Sequence, residues 1–170
     1  SIRKEGNTPA WGAVFEQYFQ EIDKVKGQKG VLSVEKKLFV ETNNGTNRQI
    51  RPVTPEQPLR IGDKVIVRLT IRTDREMNYV FLKDLRAGCF EPADQLSGPE
   101  SRDGIWYYRS PKDVSENFFI NRLPEGTFVL EYPVYVSRSG EYAGGISTIQ
   151  CMYAPEFVSH TAGESLRIMP

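Results

Sequence analysis

The chain has 170 residues, of which 22 are lysine or arginine and 22 are aspartate or glutamate. This length suits one domain, or one domain with a flanking piece, and it is enough for a real core. A net charge of zero gives no general attraction for DNA or an anionic membrane, so nucleic acid is not an expected partner. No apolar run approaches the roughly 18 residues that span a bilayer.

The N-terminal third begins with a polar lead-in over residues 1–10 that does not resemble a signal peptide. Residues 11–25 are ambiguous. Their apolar positions fit a helical stripe at Val14, Phe15, Tyr18, Phe19 and Ile22. Trp11, Ala13 and Phe15 also alternate as a strand would. Length and the Glu/Gln content favour a helix and the aromatic content favours a strand, so the pattern leaves both open.

A linker-like break at Lys26–Gly30 precedes a long strand predicted over residues 31–42. Within that strand, Glu35-Lys36-Lys37 indicates a bulge or an exposed edge. Asn43-Asn44-Gly45 predicts a hairpin turn, because Asn and Gly tolerate positive φ. The chain is then expected to return from Thr46 to Val53 as the partner strand.

The clearest strand pattern lies between residues 64 and 72. Its alternation predicts one buried face, formed by Val65, Val67, Leu69 and Ile71. A turn at Ile61-Gly62-Asp63 should precede it, and turn-prone residues 73–78 separate it from a second strand at Tyr79–Leu85, which Glu91-Pro92 closes. We interpret this stretch as a β-arch or wide hairpin in a β-sandwich.

The second half of the chain repeats short strands and turns. A surface loop is expected at 93–104, a turn at 110–113, and turn-like punctuation at 154–157 and 162–164. Strands are predicted at Ile105–Tyr108, Asn117–Leu123, Thr127–Ser137, Glu141–Met152 and Ser165–Met169. With no alternating helices, this spacing predicts an all-β fold, an antiparallel sandwich of about eight or nine strands.

Two local features of these strands are ambiguous. Pro133 indicates an edge position or a bulge, because proline cannot donate to a strand ladder. Gly144-Gly145 indicates a bulge or a close approach of two backbones.

Few residues are suited to catalysis. His160 is the only histidine, and no GxSxG motif presents a serine to it. Asp84, Glu91 and Asp94 lie close enough in sequence to flank a cleft as an acid/base pair, but acids at strand ends and in loops are usually solvated or cap turns. We therefore expect no catalytic residue, no cofactor and no small-molecule substrate.

The cysteines, Cys89 and Cys151, are not spaced as CxxC. Together with one histidine they cannot complete a tetrahedral zinc site without carboxylates from elsewhere, so no metal site is expected. A Cys89–Cys151 disulfide would require an oxidising compartment. The favoured interpretation is two small buried thiols.

Three consecutive aromatic residues, Trp106, Tyr107 and Tyr108, allow two interpretations. They could form a platform on which a sugar stacks. Because successive residues of a strand alternate faces, at most two of them can share a surface. The favoured interpretation is that one face lies in the core and the other packs under a loop.

Three stretches resemble the C-terminal macroglobulin-like domain of bacterial, especially Bacteroidetes-type, alpha-2-macroglobulins: Gly62–Pro92, Phe118–Gly145 and Met152–Gly163. The resemblance covers about four fifths of the chain, and MYAPEF is its most distinctive motif. It implies a macroglobulin-like sandwich of immunoglobulin-like architecture at 31–170. Residues 7–19 resemble the segment before that domain, which implies a tether over 1–30 from a preceding module, strand-like at 11–19.

The resemblance implies a non-catalytic structural domain of a large inhibitor that entraps proteinases in the cell envelope, either in the periplasm or at the outer membrane. The implied partners are neighbouring domains of the parent chain and, through the parent, target proteinases. Neither the bait region nor the thioester motif CGEQ is present, since Cys89 stands in GCFE and Cys151 in QCMY. The alternative function is a free-standing sandwich that binds carbohydrate or an envelope protein.

Overall fold

The computed structural model describes residues 5–9, 11–44 and 47–170. Its regular structure consists of strands preceded by one turn of 3-10 helix at Ile22–Lys24. The strands are β1 (Leu32–Asn44), β2 (Asn47–Pro52), β3 (Leu59–Arg60), β4 (Lys64–Thr73), β5 (Met77–Leu85), β6 (Phe90–Pro92), β7 (Gly98–Arg102), β8 (Ile105–Pro111), β9 (Ser115–Leu123), β10 (Gly126–Val136), β11 (Gly140–Ala143), β12 (Ser147–Cys151), β13 (Ala154–His160) and β14 (Ser165–Met169). No helix of the described chain has the length and apolarity to span a membrane.

The strands form three sheets. A five-stranded sheet has the order β2-β1-β4-β10-β6, and a six-stranded sheet has the order β13-β12-β5-β9-β8-β7. A small sheet, β11-β14-β3, contains the one parallel pair found among the described residues, β14 with β3. The two large sheets enclose one hydrophobic core. The predicted antiparallel sandwich is confirmed, with more and shorter strands than expected.

The strand β4 is the centre of the five-stranded sheet, paired with β1 on one side and β10 on the other. The four residues predicted to form its buried face have at most 1% exposure: Val65, Val67, Leu69 and Ile71. Ile66 is also buried, on the opposite face between its cross-strand neighbours Phe39 and Pro133. Both faces of β4 are therefore covered at that point.

The link from β4 to β5 carries the chain from one sheet to the other, so it is a β-arch and not a hairpin. The turn predicted before β4 is present, with Gly62 at φ +88°. Asp63 closes this turn by accepting a hydrogen bond from Arg60 N at 2.8 Å. The expected end of the second strand at Glu91-Pro92 is wrong: β5 ends at Leu85, and those residues lie in β6, which pairs with β10.

The strand β1 pairs with β4 in unbroken register from Leu32 to Glu41, so Glu35–Lys37 is not a bulge. Its other neighbour, β2, pairs only from Phe39 onward. Since Leu38 O accepts from Val53 N at 3.0 Å, residues 32–37 have the open edge, which is the second of the two alternatives. The predicted turn at Asn43-Asn44-Gly45 includes Gly45, which lies outside the described residues.

Two predictions of loops and turns are right only in part, since residues 93–97 and 112–114 are irregular but strands occupy other predicted positions, and a third is wrong. The expected loop at 93–104 contains β7, the expected turn at Ser110-Pro111 is the end of β8, and β13 begins at Ala154 where punctuation was expected. β7 and β13 are the outermost strands of the six-stranded sheet. β7 and β13 form strands because β8 and β12 supply partners for their backbone hydrogen bonds, in spite of low intrinsic strand propensity.

Pro133 occupies an edge-like place within β10. Its register with β4 is continuous, which excludes a bulge. Its carbonyl accepts from Ala93 N at 3.4 Å on the side of β6. The N and C=O of one strand residue face the same side, and β6 pairs only as far as Val134. The missing N–H of proline therefore costs no bond to β4.

The glycine pair between β11 and β12 lies where the chain passes from the small sheet to the six-stranded sheet. Gly145 has φ +71°, and a Cβ built there would lie 2.2 Å from Leu85 O. This is the close backbone approach that the sequence suggested, and only glycine fits it.

The strand predicted at 11–19 is wrong for this chain, as is the helix alternative. Residues 11–20 are exposed and have no regular secondary structure. A strand needs a partner for its backbone groups, and none of the described strands pairs with this segment. Residues 22–28 do contact the sandwich: Gly163 N donates to Val25 O at 2.8 Å, and Gln28 forms a bridge with His160.

Candidate functional site

A lysine crosses the interior of the sandwich to an aspartate of the opposite sheet. Lys36 lies on β1 in the inward-facing row that includes buried Val34. Its ammonium group donates to Asp84 Oδ1 at 2.8 Å, Leu85 O at 3.0 Å and Gly144 O at 3.3 Å. An ammonium group has three donors, so this one is fully used.

The carboxylate of Asp84 is fully buried and surrounded by donors. Besides Lys36, it accepts from Ser147 Oγ at 2.7 Å and from the hydroxyl of Tyr132. Burial, followed by the negative charge of Asp84, raises the pKa of Tyr132 well above its ordinary value, so the phenol remains a neutral donor. Asp84 is therefore a structural acceptor, closed to a substrate.

Glu116 lies opposite Asp84 on the neighbouring strand β9 and is also fully buried. Arg109 Nε donates to its Oε1 at 2.7 Å, and Arg86 Nη2 donates to its Oε2 at 3.1 Å. Burial raises the pKa of Glu116, while the two guanidinium groups act in the opposite direction. Arg86 also donates to two carbonyl oxygens of the β8–β9 turn, at 2.8 and 2.9 Å.

These residues form one polar cluster: Lys36, Asp84, Arg86, Arg109, Glu116, Tyr132 and Ser147. Its two halves meet where the guanidinium carbon of Arg109 lies 5.9 Å from the ring centroid of Tyr132. Two nitrogens, Arg86 Nε and Arg109 Nη2, have no hydrogen-bond partner among the described residues. The cluster joins the two large sheets, and Lys36 also lines a cavity between β1 and β13.

The acid/base pair considered from the sequence is not assembled. Asp84 is enclosed by the polar cluster. Asp94 forms an ion pair with Arg109 at 3.4 Å and accepts from Leu96 N at 3.0 Å. Glu91 is exposed on β6, in the other large sheet. The three carboxylates therefore have separate environments and separate structural partners.

His160 lies half-buried on β13, where its Nδ1 is 3.0 Å from Thr161 O. It lines an open cavity of about 610 Å³ together with Lys37 and Glu164. No described serine or cysteine is hydrogen-bonded to its ring. Within the described part of the chain, no group of three or more His, Cys, Asp or Glu residues could hold a metal ion.

Both cysteines are free and buried in the structure. Cys89 precedes β6, next to the five-stranded sheet, and burial raises its pKa to about 11. Cys151 ends β12 in the six-stranded sheet, and its Sγ donates to Asn78 O at 3.3 Å. Both behave as small core residues.

The outer side of the six-stranded sheet carries four rings that we call the aromatic face: the exposed Trp106, Tyr108 and Phe119, and the half-buried Phe81. Trp106 is 71% exposed and Tyr108 is 47% exposed, whereas Tyr107 points into the core at 5%. The prediction that a loop covers this side is therefore wrong. Phe81 and Phe119 stack with ring centroids 4.9 Å apart and an interplanar angle of 25°.

Residues 11–19, before the sandwich, carry a second exposed aromatic set at Trp11, Phe15, Tyr18 and Phe19. Trp11 is 96% exposed. Large apolar side chains concentrated in one exposed segment are typical of a surface that another polypeptide covers.

Two large sheets around one hydrophobic core define an antiparallel β-sandwich domain. The Bacterial Alpha-2-macroglobulin MG10 domain model matches residues 32–156. The chain belongs to this family of bacterial alpha-2-macroglobulin MG10 domains.

Solved structures share the fold. Salmonella alpha-2-macroglobulin reacted with methylamine is 21% identical with a TM-score of 0.66, over 85% of this chain and 10% of that chain. Native alpha-2-macroglobulin from Escherichia coli, from domain MG7 to the C-terminus, is 16% identical with a TM-score of 0.65, over 85% of this chain and 24% of that one.

A protein of another description is also similar to this chain. Circularly permutated Ras protein 2 of Dictyostelium discoideum is 28% identical over 109 residues, which is 64% of this chain and 3% of that protein. In all these comparisons the chain spans a small part of the relative's length.

Proposed function

We propose that this chain is a non-catalytic structural domain of a large bacterial alpha-2-macroglobulin-like protein that entraps proteinases. The match of residues 32–156 to the MG10 domain model carries this proposal. The polar cluster supports it, because its two buried carboxylates, Asp84 and Glu116, are bound by donors of the cluster itself.

The contribution of such a domain is made through contacts with neighbouring modules of the parent chain, and with target proteinases only through the parent. We infer that residues 1–30 are the tether from a preceding module. Residues 22–28 contact the sandwich, while the rings of Trp11, Phe15 and Phe19 remain exposed and available to a neighbour. In a parent of this family the domain lies outside the cytoplasm, and we propose the periplasm or the outer membrane as its location and the C-terminal end of the parent as its position.

Hydrogen exchange on the full-length parent, before and after cleavage by a proteinase, tests this role. We expect exchange at residues 11–21 to change on cleavage while the amides of β4 stay protected. Unchanged exchange throughout this domain and its tether would contradict a role in the rearrangement.

The absence of catalysis is tested with ester, peptide and glycoside reporter substrates. We expect rates equal to buffer for the chain and for His160→Ala, which removes the only histidine. A rate above buffer that disappears in His160→Ala would overturn the non-catalytic proposal.

A further inference from the structure

We propose that the aromatic face is a carbohydrate-binding site, where the rings of Trp106 and Tyr108 stack against the pyranose units of an oligosaccharide. This inference is independent of the proposed scaffold role. The apolar C–H face of a pyranose ring packs on an aromatic ring, while its rim of hydroxyl groups needs polar partners and water. A site for it therefore combines exposed rings with a few hydrogen-bonding side chains.

The rings are held on rigid strands. Trp106 and Tyr108 are two residues apart on β8, so their side chains leave the same side of the sheet about 6–7 Å apart along the strand. Cross-strand pairing aligns Tyr108 with Pro99 on β7 and Phe119 on β9. Because β8 is paired on both sides, the surface is formed before a ligand arrives, which reduces the entropy lost on binding.

Polar groups border the rings. A cleft of about 470 Å³ is lined by Trp106, Tyr108, Phe119, Asn121 and Arg122, a size typical of sites for small ligands. The amide of Asn121 both donates and accepts, which suits sugar hydroxyl groups. Arg122 is oriented by Glu76, whose Oε2 accepts from Nε at 3.0 Å and from Nη2 at 2.7 Å.

The charges favour a neutral sugar over other partners. The Arg122 guanidinium is paired with Glu76, so the cleft provides no excess positive charge for an anionic polymer. This ion pair is exposed, with Arg122 at 71% and Glu76 at 46% of their side-chain surfaces. A protein covering the face would bury the pair, and interface centres are depleted of charge. A stacked oligosaccharide leaves it in water.

Tryptophan fluorescence of the intact chain provides the test, because Trp11 and Trp106 are its only tryptophans. In a Trp11→Phe background, emission reports Trp106 alone. We expect at least one of cellohexaose, xylohexaose and chitohexaose to change this emission saturably at up to about 10 mM. Affinity by calorimetry should then fall roughly tenfold or more in Trp106→Ala, as for a central aromatic contact.

Trp11→Ala is the matched control, because it removes the other tryptophan, which is also exposed but lies away from the aromatic face, before β1. We expect it to bind like the unaltered chain, and Trp106→Phe to retain part of the affinity because a ring remains. All variants should unfold at the same temperature. No emission change with any of the three sugars, or an equal loss of affinity in Trp11→Ala and Trp106→Ala, would overturn the proposal and leave the face to a protein partner.

Discussion

Lys36 is a charged side chain in a row of β1 that otherwise faces the core. Its side chain is 10% exposed and its partner Asp84 is fully buried. A charge left alone in such a place is costly because no water replaces the lost partner. The pair therefore stabilises the fold only while both charges are present.

We predict that Lys36→Met lowers the free energy of unfolding by about 3–5 kcal/mol, because it leaves the Asp84 carboxylate buried with one cation fewer. The double variant Lys36→Met/Asp84→Asn should recover part of this loss, since it removes both charges. Lys37→Met is the control: Lys37 is exposed on the adjacent position, and we expect a change within about 0.5 kcal/mol. Urea unfolding measures all three, and equal effects at positions 36 and 37 would contradict the inward orientation.

The thiol of Cys89 gives a second prediction at this scale. Burial raises its pKa to about 11, so at pH 8 the thiol binds its proton and only about one molecule in a thousand carries the reactive thiolate. We expect a disulfide-exchange reagent to label neither cysteine in the folded chain at pH 8. After unfolding without reductant, both of the two cysteines should react. Failure to recover both thiols would indicate a disulfide.

At some positions of the strands and turns, two backbones approach so closely that only glycine fits. We predict that Gly145→Ala costs about 3 kcal/mol or more, because a Cβ would meet Leu85 O at 2.2 Å and the residue has φ +71°. Gly62→Ala isolates the second effect, since Gly62 has φ +88° with nothing within 4 Å, and should cost about 1–2 kcal/mol. Thermal unfolding compares the two. Equal losses would mean that φ alone requires glycine at 145.

The central strands could be predicted from alternation, because burial of a full row in β4 leaves a clear pattern of Val65, Val67, Leu69 and Ile71. The outer strands could not. β7 has the sequence GPESR, which contains no β-branched or aromatic residue, and it is a strand only because β8 supplies hydrogen bonds. Whether these outer segments form strands depends on which strands lie beside them in the sheet, and a single sequence does not give that order.

The polar cluster was missed because each member has the character of a surface residue. The sequence nevertheless contains an indication of it, because charged residues occupy inward positions in the alternation of two strands. Lys36 lies two residues after Val34, and Asp84 lies two residues after Leu82. Residues two apart on a strand share a face, so both charged residues lie on the inward face of their strands. A lysine in the core phase of one strand and an aspartate in that of another predict a buried pair, provided that the two strands are known to face each other. That last condition comes only from the fold.

At the scale of the whole molecule, the segment before β1 contacts the sandwich between Ile22 and Gln28. A Cβ at Gly163 would lie 1.8 Å from Ile22 O and 2.8 Å from the Cα of Asp23. We predict that Gly163→Ala displaces this segment without unfolding the sheets. Amide exchange of Gln28 and His160, which donate to each other's carbonyl oxygens at 2.9 and 3.1 Å, should become faster, while that of Val67 in β4 stays slow.

The control for this variant is Gly98→Ala, since nothing lies within 4 Å of a Cβ there. We expect its exchange pattern to match that of the unaltered chain. If the amides of Gln28 and His160 stay protected from exchange in Gly163→Ala, residues 22–28 tolerate the added methyl group and are not held at this contact.

The contact at Gly163 also sets the distance over which the domain can travel. The eleven residues 11–21 have no regular structure before the chain meets the sandwich at Ile22. Fully extended, they span at most about 36–40 Å. In the proposed tether, Ile22 is therefore the point that meets the domain, and residues 11–21 alone allow a preceding module to move by up to that length without breaking a strand.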